Sequence, residues 1–396
     1  MAKYKDAIAV FLYKLRRIKP AIVKYLSLPF LLLALLPAAL TAQQLRFSLS
    51  PSLSFPPDSL VKNRLLTSLD GFLQDKDRPG GAAGYTDTAY LRRYQMGFDE
   101  IQFIENSKKY NDSNFFRPQL TNIIKINPGE YLIKLAFAGV TSDRQPVVRK
   151  LYSMVAREKA DKFIFYPAVD YVVKDWQHKQ VGRIHYVYPH TLDLSAAKRF
   201  DEFNTALAAK FGVKPVALTY YHCSSAQELL RVKGVDFDAT ASYLRRGDSD
   251  EENNIFMSGI NSPLYKHDLV HFYCAKFLPK QTCRPAEEGL AYYMDGGWGE
   301  SYEKCLKTLK DYAAAHPDTN LYEPFKNNLS AGDISLKHTI SALLVATLDK
   351  REGFAQVLAF IRGENTDERM LKNMQQFFGI TPQNFNEKVR KLLTAG

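Results

Sequence analysis

The sequence predicts an α+β fold in two domains. The chain has 396 residues, of which 46% are hydrophobic, enough to bury two cores. Between residues 58 and 190, one helical pattern is followed by alternating apolar runs separated by turn sequences. From residue 191 onward, apolar residues recur mainly at helical spacing. We therefore expect a small domain of one helix and an antiparallel sheet at 58–190, and a second domain at 191–396 that becomes mostly helical.

The first 42 residues have the pattern of a secretory signal peptide. A basic region precedes an apolar run from Leu26 to Leu40, and Thr41-Ala42-Gln43 follows it. About fifteen apolar residues are short for a membrane span but fit a signal core. We expect cleavage after Ala42 and export to the periplasm or the extracellular space, with no stable membrane span afterwards. An uncleaved N-terminal anchor is the alternative.

The segments from 43 to 190 are predicted as a linker followed by the small domain. The Ser-, Leu- and Pro-rich stretch 43–57 predicts the linker, and Asp58 is the expected N-cap of the helix that follows. Asn127-Pro128-Gly129 predicts a turn between the first two of five strands. The strands are expected at 120–126, 131–138, 150–157, 163–166 and 183–188. This order of elements suggests a cystatin-like domain or one similar to the nuclear-transport-factor fold.

The second domain begins with alternating helices and strands and ends in helices. A helix at 195–211 is expected to end at Gly212 as its C-cap. A strand at 216–221, a helix at 226–233, a polar loop at 247–253 and a strand at 254–260 follow. Further helices are expected at 302–314, 335–348, 354–362, 367–378 and 382–393.

Two histidines and a glutamate form a candidate metal site. His267 and His271 are four residues apart, so on a helix they share one face, about 6 Å apart along the axis. Glu288 follows at the distance of a helix hairpin and offers a third ligand. Two imidazoles and one carboxylate leave a fourth zinc position open, as hydrolytic zinc sites require. Two histidines on a helix surface are the alternative interpretation, but the run around them is apolar.

This pattern resembles the gluzincin branch of zinc metallopeptidases, the peptidase MA-like group. The resemblance rests on HxxxH, a spacer and EGLAYYMDGGWGESYEKCLKTLKDY at residues 288–312, and it extends over roughly residues 214–393. It implies a thermolysin-like lobe that binds Zn²⁺ through His267, His271 and Glu288. It also implies hydrolysis of peptide bonds by zinc-activated water.

Asp268 departs from the pattern of the family. The residue after the first histidine is normally glutamate, the base that activates the water, and here it is an aspartate. The carboxylate is thereby withdrawn by roughly 1.5 Å, about one carbon–carbon bond. Misplacement by about 1 Å can cost on the order of a hundredfold in rate. The sequence thus predicts a metal site in which Asp268 takes the catalytic position with weakened activity.

The resemblance also indicates where a substrate would be held. The strand before the metal helix would pair with an extended peptide through Met257, Ser258 and Gly259; an ordinary interior strand is the alternative. Candidates for stabilising the oxyanion are Tyr302, Tyr322, His316 and His338, which the sequence does not rank. Asp295 and Glu287 are candidates for orienting the metal histidines.

Net charge and cysteines narrow the function classes. The formal net charge is +11, but residues 1–42 carry seven basic residues and one acid, which leaves +5 for the rest. Nucleic-acid binding therefore has little support. The four cysteines could form two disulfides in three possible pairings. Cys274 is expected to be a buried structural residue, because it lies about 10 Å along the helix from His267.

We therefore predict an exported zinc-dependent peptidase-like protein that acts on peptides or proteins. The main alternative is a non-catalytic, zinc-binding pseudo-peptidase that serves as a binding or scaffold protein of the cell envelope. A scaffold without metal is the third possibility.

Overall fold

The structure, a computed structural model, describes residues 45–78, 81–241, 247–278, 281–297 and 299–395. Contacts within the chain place Leu49–Gly396 in one compact unit. The predicted signal peptide, residues 1–42, lies outside the described residues. In the described ranges, no helix combines the length and the hydropathy needed to cross a membrane.

Helices and strands are mixed along the chain, which confirms the α+β class. The strands are β1 (Ser48–Leu49), β2 (Arg117–Asn127), β3 (Glu130–Val140), β4 (Pro146–Lys159), β5 (Lys162–Pro167), β6 (Gln177–Val181), β7 (Ile184–Tyr188), β8 (Leu218–His222), β9 (Val235–Asp238), β10 (Gly247–Asp250), β11 (Ile255–Ser258), β12 (Ser330–Ala331) and β13 (Ile334–Ser335). The helices are α1 (Ser59–Asp75), α2 (Thr88–Arg93), α3 (Gln95–Asp99), α4 (Val169–Val172), α5 (Leu194–Phe211), α6 (Ala226–Val232), α7 (Lys266–Phe277), α8 (Arg284–Asp295), α9 (Tyr302–Ala315), α10 (Tyr322–Lys326), α11 (Leu336–Glu352), α12 (Phe354–Phe360), α13 (Asp367–Phe378) and α14 (Phe385–Ala395). The thermolysin-like lobe stays a prediction.

The first sheet contains the antiparallel series β2-β3-β4-β5, and β9 pairs with another part of β4. The turn predicted between β2 and β3 is present, with Gly129 in the left-handed region at φ +70°. Helix α1 packs against β5, and the Asp58 carboxylate accepts hydrogen bonds from the backbone N–H groups of Leu60 and Val61. The predicted N-cap is therefore confirmed, because that carboxylate satisfies donors that have no partner inside the helix.

The second sheet has the order β10-β11-β8-β7-β6. Strands β7, β8 and β11 are parallel, and β10 and β6 pair antiparallel at its edges. The prediction of a loop at 247–253 was wrong in part, because residues 247–250 form an edge strand. Met257 and Ser258 lie in β11 between β10 and β8, which confirms the alternative of an interior strand. Their strand is therefore not the sheet edge that a peptide would extend.

A buried cluster of charges connects the two sheets. Lys150 on β4 contacts Glu100 and Asp238, with N–O distances of 2.5 and 3.0 Å. Lys233, after α6, pairs with both Glu100 and Asp248 of β10. Strand β9 lies in the first sheet, while β6 and β7 lie in the second. Each sheet therefore contains strands from both sides of residue 190; the predicted domain boundary there stays a prediction.

The largest core lies between the second sheet and the helices. Tyr186, Tyr220 and Phe256 of the sheet are buried against α5, α7, α8 and α11. Helix α5 ends at Gly212, whose φ of +69° confirms the predicted C-cap. Helices α8 and α11 approach so closely at Gly289 that a Cβ atom on this residue would lie 2.6 Å from Ser341. The glycine of the EGLA segment thus allows the packing that fixes Glu288.

Candidate metal centre

Helices α7 and α8 bring the three predicted ligands together. His267 and His271 lie one turn apart on α7, whose opposite side buries Leu269 and Phe272. Glu288 lies on α8, which has Pro285 in its first turn, where a missing N–H group costs nothing. The two helices pack against each other, so both imidazoles and the carboxylate converge.

The ligand atoms are spaced as a metal ion requires. The two Nε2 atoms of His267 and His271 are 3.3 Å apart. Glu288 places Oε2 at 3.5 Å from Nε2 of His267, and Oε1 at 3.5 Å from Nε2 of His271. Ligands bound tetrahedrally to zinc at about 2.0–2.1 Å are separated by roughly 3.3–3.4 Å. The three side chains therefore fit one zinc ion.

The Nδ1 atoms of both rings are engaged on the far side. Nδ1 of His267 lies 2.9 Å from the backbone oxygen of Gly296, and Nδ1 of His271 lies 2.6 Å from Oε1 of Glu287. A proton on each Nδ1 atom would be donated to these oxygens, leaving each Nε2 lone pair for a metal. Glu287 is therefore placed as proposed. Asp295 instead accepts a hydrogen bond from the backbone N–H of His267, at 3.1 Å.

Protons compete for this site when no ion is bound. Burial alone would lower the pKa of His271, but hydrogen bonds to Glu287 and Glu288 outweigh burial and raise it. Burial alone would raise the pKa of Glu288, but hydrogen bonds from His267 and His271 hold it well below its usual range. A metal ion would have to displace a proton from His271.

Asp268 offers an alternative third ligand. Ligand atoms of His267, Asp268 and His271 all lie within 4.8 Å of one another. We favour Glu288 because its oxygens are 3.5 Å from the imidazole nitrogens, within the range of atoms that share an ion. Asp268 also has other partners: it shares a hydrogen bond with the Tyr265 hydroxyl.

The Asp268 carboxylate lies against the edge strand. A Cβ atom at residue 247 of β10 would overlap Oδ2 of Asp268, and it would lie 2.6 Å from Cε1 of Tyr265. Position 247 therefore needs glycine, because any side chain there would occupy the space of the Asp268 carboxylate. Burial raises the pKa of Asp268, and the two neighbouring histidines oppose that effect.

Arg284 is a neighbour that the sequence interpretation missed. Its Nη2 and Nε atoms lie 2.8 and 2.9 Å from Oε1 of Glu288, and its Nη1 atom lies 3.1 Å from Oε1 of Glu287. The spacing of four between Arg284 and Glu288 was a usable signal for this pair. One guanidinium thus holds both the candidate ligand and the carboxylate that orients His271. The Arg284 side chain is 49% exposed.

A cleft opens beside these groups. Its volume is about 690 Å³, and Gly247, Asp248, Asp268, His271 and Arg284 are among the residues that line it. The cleft therefore runs between edge strand β10 and the candidate metal centre.

The structure separates the four oxyanion candidates. Nδ1 of His338, on α11, lies 3.9 Å from Oε2 of Glu288, and its ring packs on Tyr292. Tyr302 packs instead on Tyr293, Tyr322 on Phe385 and His316 on Tyr312. Of the four, His338 is the one with a contact to a candidate ligand.

The four cysteines are free thiols rather than disulfides. Cys223, Cys274, Cys283 and Cys305 are free and buried. Burial raises the pKa of the Cys283 thiol to about 11, and it raises the pKa of the other three thiols as well. The interpretation of Cys274 as a buried structural residue is confirmed.

Comparison of the chain with models of known protein families finds no match, and comparison with curated proteins finds none either.

Proposed function

We propose that this protein is an exported zinc-dependent peptidase-like protein that hydrolyses peptide bonds. The observation that carries the proposal is the convergence of His267, His271 and Glu288: the two Nε2 atoms are 3.3 Å apart, and one oxygen of Glu288 lies 3.5 Å from each of them, Oε2 from His267 and Oε1 from His271. The outer hydrogen bonds to both imidazoles support it, because metal histidines in proteins usually donate their second N–H group. The resemblance to gluzincins supplies the reaction class.

Some residues of the site would orient the metal ligands, and Asp268 would transfer the proton. Glu287 and the Gly296 carbonyl fix the tautomer and orientation of the two imidazoles, and Arg284 fixes the Glu288 carboxylate. A zinc ion held here would act as a Lewis acid and make water nucleophilic near neutral pH. Asp268 would accept a proton from the attacking water and donate it to the departing amine.

Strand β10 is the proposed support for the substrate. It is an edge strand that borders the cleft, and its Gly247 touches the Asp268 carboxylate. An extended peptide that paired with β10 would add a strand to the sheet and pass beside the candidate metal centre. His338 is the proposed donor to the oxyanion, because it is the candidate near Glu288.

A non-catalytic zinc-binding pseudo-peptidase is the second candidate, and the surroundings of Asp268 favour it. The aspartate is shorter than the usual glutamate, shares a hydrogen bond with Tyr265 and packs against β10. Each feature restricts how far the carboxylate can reach toward a water. In this version the protein binds peptides in the same cleft without cleaving them.

Two measurements test the proposal in sequence. Zinc content of the purified protein is expected to be one equivalent, and His271→Asn is expected to abolish it; a native chain without zinc would contradict both candidates. Turnover of a mixture of peptides then separates them. We expect slow cleavage by the native protein and none by Asp268→Asn. Zinc binding without cleavage in the native chain would leave the pseudo-peptidase.

A further inference from the structure

A pair of histidines lies on the hairpin of β6 and β7, outside the candidate metal centre. The Nδ1 atom of His178 on β6 lies 3.0 Å from the Nε2 atom of His185 on β7. In the strand register, His178 is opposite Val187 and His185 is opposite Gln180, so the histidines are diagonal neighbours. Residues related in this way lie on the same face of a sheet.

This histidine pair is remote from the proposed zinc position. Strand β6 lies at one edge of the second sheet, and β10, which borders the candidate metal centre, lies at the other. Ile184 and Tyr186 alternate with His185 and belong to the core shared with α7, whereas Val187 belongs to the core on the other face. Since side chains alternate along a strand, the pair faces away from α7.

The distance between the two histidine nitrogens indicates which metal coordination geometry the pair fits. Two ligands at about 2.0–2.1 Å from an ion are roughly 2.8–3.0 Å apart when the angle between them is 90°, and roughly 3.3–3.4 Å apart when it is tetrahedral. The separation of 3.0 Å in the pair fits the right angle, whereas the 3.3 Å between His267 and His271 fits the tetrahedron. Right angles are the preference of Ni²⁺ and Cu²⁺ with nitrogen and oxygen ligands.

Neighbouring groups can complete the coordination. Gln180 is directly opposite His185, and its amide nitrogen donates to the Gly182 oxygen at 2.9 Å. That hydrogen bond turns the amide nitrogen away and leaves the amide oxygen as an acceptor. His178 is exposed, so water can reach the site.

We propose that His178 and His185 form a second metal site, which binds a divalent transition-metal ion of tetragonal preference. Gln180 and water supply its remaining oxygen ligands. An ion bound here ties edge strand β6 to β7 and stabilises the folded state, because it binds that state alone. The proposal is independent of the proposed peptidase function.

Ni²⁺ is the probe for the test, since it does not oxidise thiols as Cu²⁺ can. The full untagged chain carries His271→Asn, which disables the candidate metal centre, and Ni²⁺ binding is measured by calorimetry. We expect one equivalent of Ni²⁺. Adding His178→Asn or His185→Asn should weaken Ni²⁺ binding at least about tenfold. Even the loss of a residue that only hydrogen-bonds to a metal ligand typically lowers metal affinity by that factor. His190→Asn, a nearby histidine outside the pair, should leave it unchanged.

Two results would overturn the proposal: no Ni²⁺ binding to the His271→Asn chain, or equal affinity after either change in the pair. If His271→Asn prevents folding, the native chain saturated with zinc replaces it. Ni²⁺ added to that sample should bind at one further site. Binding that is unchanged in His178→Asn would count against the site.

Discussion

The Oε1 atom of Glu287 lies 2.6 Å from Nδ1 of His271, and the Glu287 side chain is only 5% exposed. The same carboxylate accepts hydrogen bonds from Thr282 and Arg284. A buried acid with three donors has little freedom to move, so it fixes the ring of His271. The adjacent residue, Glu288, faces the Nε2 side of that ring. Consecutive glutamates on one helix thus contact opposite sides of one imidazole.

Glu287→Gln should weaken zinc binding without abolishing it. The amide keeps the shape of the side chain but loses the charge that strengthens the hydrogen bond to His271. Loss of such an outer partner typically lowers metal affinity 10- to 100-fold. Competition with a chelator measures the change. Glu303→Gln, on the exposed start of α9, is the control, and equal affinities in the two variants would refute the assigned role.

Asp268→Glu should increase peptide turnover. The added methylene extends the carboxylate by roughly 1.5 Å, and an error of about 1 Å can cost on the order of a hundredfold. Initial rates on mixed peptides, at matched zinc content, measure the effect. An active variant beside a silent parent would show that the native chain is not an enzyme. Equal rates in the two proteins would show that the length of the side chain at residue 268 does not limit peptide cleavage.

Gly247→Ala should impair turnover while zinc stays bound. The new methyl group would overlap Oδ2 of Asp268 and crowd Tyr265, but the three proposed zinc ligands lie on α7 and α8. Activity and zinc content are measured on the same samples. The matched control is Gly84→Ala, because a Cβ atom there meets nothing within 4 Å. Unchanged activity in Gly247→Ala would contradict the proposed position of Asp268.

The charge cluster between the sheets should make stability depend on pH. Burial alone would raise the pKa of Glu100, but Lys233 and Lys150 outweigh it and lower that pKa. Burial alone would lower the pKa of Lys233, but Asp248 and Glu100 raise it. The stabilisation from Glu100 is complete above its unfolded pKa, about 4.3, and is lost as pH falls through its folded pKa. The stabilisation from Lys233 is complete below about 10.4 and is lost as pH rises through its folded pKa.

Lys233→Met tests this cluster. At neutral pH it should lower the free energy of unfolding by about 3–5 kcal/mol, because it leaves buried carboxylates without a partner. The loss of stability in Lys233→Met should shrink as pH falls from the unfolded pKa of Glu100, about 4.3, through its lower folded pKa. Denaturant titrations at several pH values measure it. Lys307→Met, which removes an exposed pair with Asp311, should change little. A deficit independent of pH would contradict this account.

All four thiols should be counted as free in denaturant, and they should react slowly in the folded protein. Burial raises the pKa of the Cys283 thiol to about 11, so the reactive thiolate is scarce at pH 8. A thiol-specific chromophore with and without denaturant makes the measurement. The count after prior reduction is the control, and a higher count after reduction would reveal a disulfide.

The long helices and long strands were predictable from sequence because local signals determine them, whereas the prediction of a single helix at 58–190 was wrong, since the short helices α2, α3 and α4 also lie there. Asp58 and Gly212 bound α1 and α5 as expected, and the turn at Asn127-Pro128-Gly129 separates β2 from β3. The three candidate ligands were predictable because HxxxH places two imidazoles on one helical face. Their convergence with Glu288 needed only a helix hairpin.

The remaining features depend on contacts between distant residues. Strand β10 reads as a loop because it is polar, yet Asp248 is paired with Lys233, and Ser249 lies opposite Phe256 in the sheet. Gly247 gives no local sign that it makes room for Asp268. Likewise, His338 is distinguished from the other oxyanion candidates only by the packing of α11 on α8.

The ionic cluster of Lys150, Glu100, Lys233 and Asp248 has a mechanical consequence. It joins β4 of the first sheet to β10 of the second, and β10 borders the cleft. Separating the sheets would break the contacts of Lys150 and Lys233 with the carboxylate that they share, Glu100. A fragment ending at residue 190 would lose β8, β9 and Lys233 together, and so would have no partner for either exposed sheet edge. The amino-terminal residues Glu100 and Lys150 thus help to hold β10, the strand that borders the cleft, in its position.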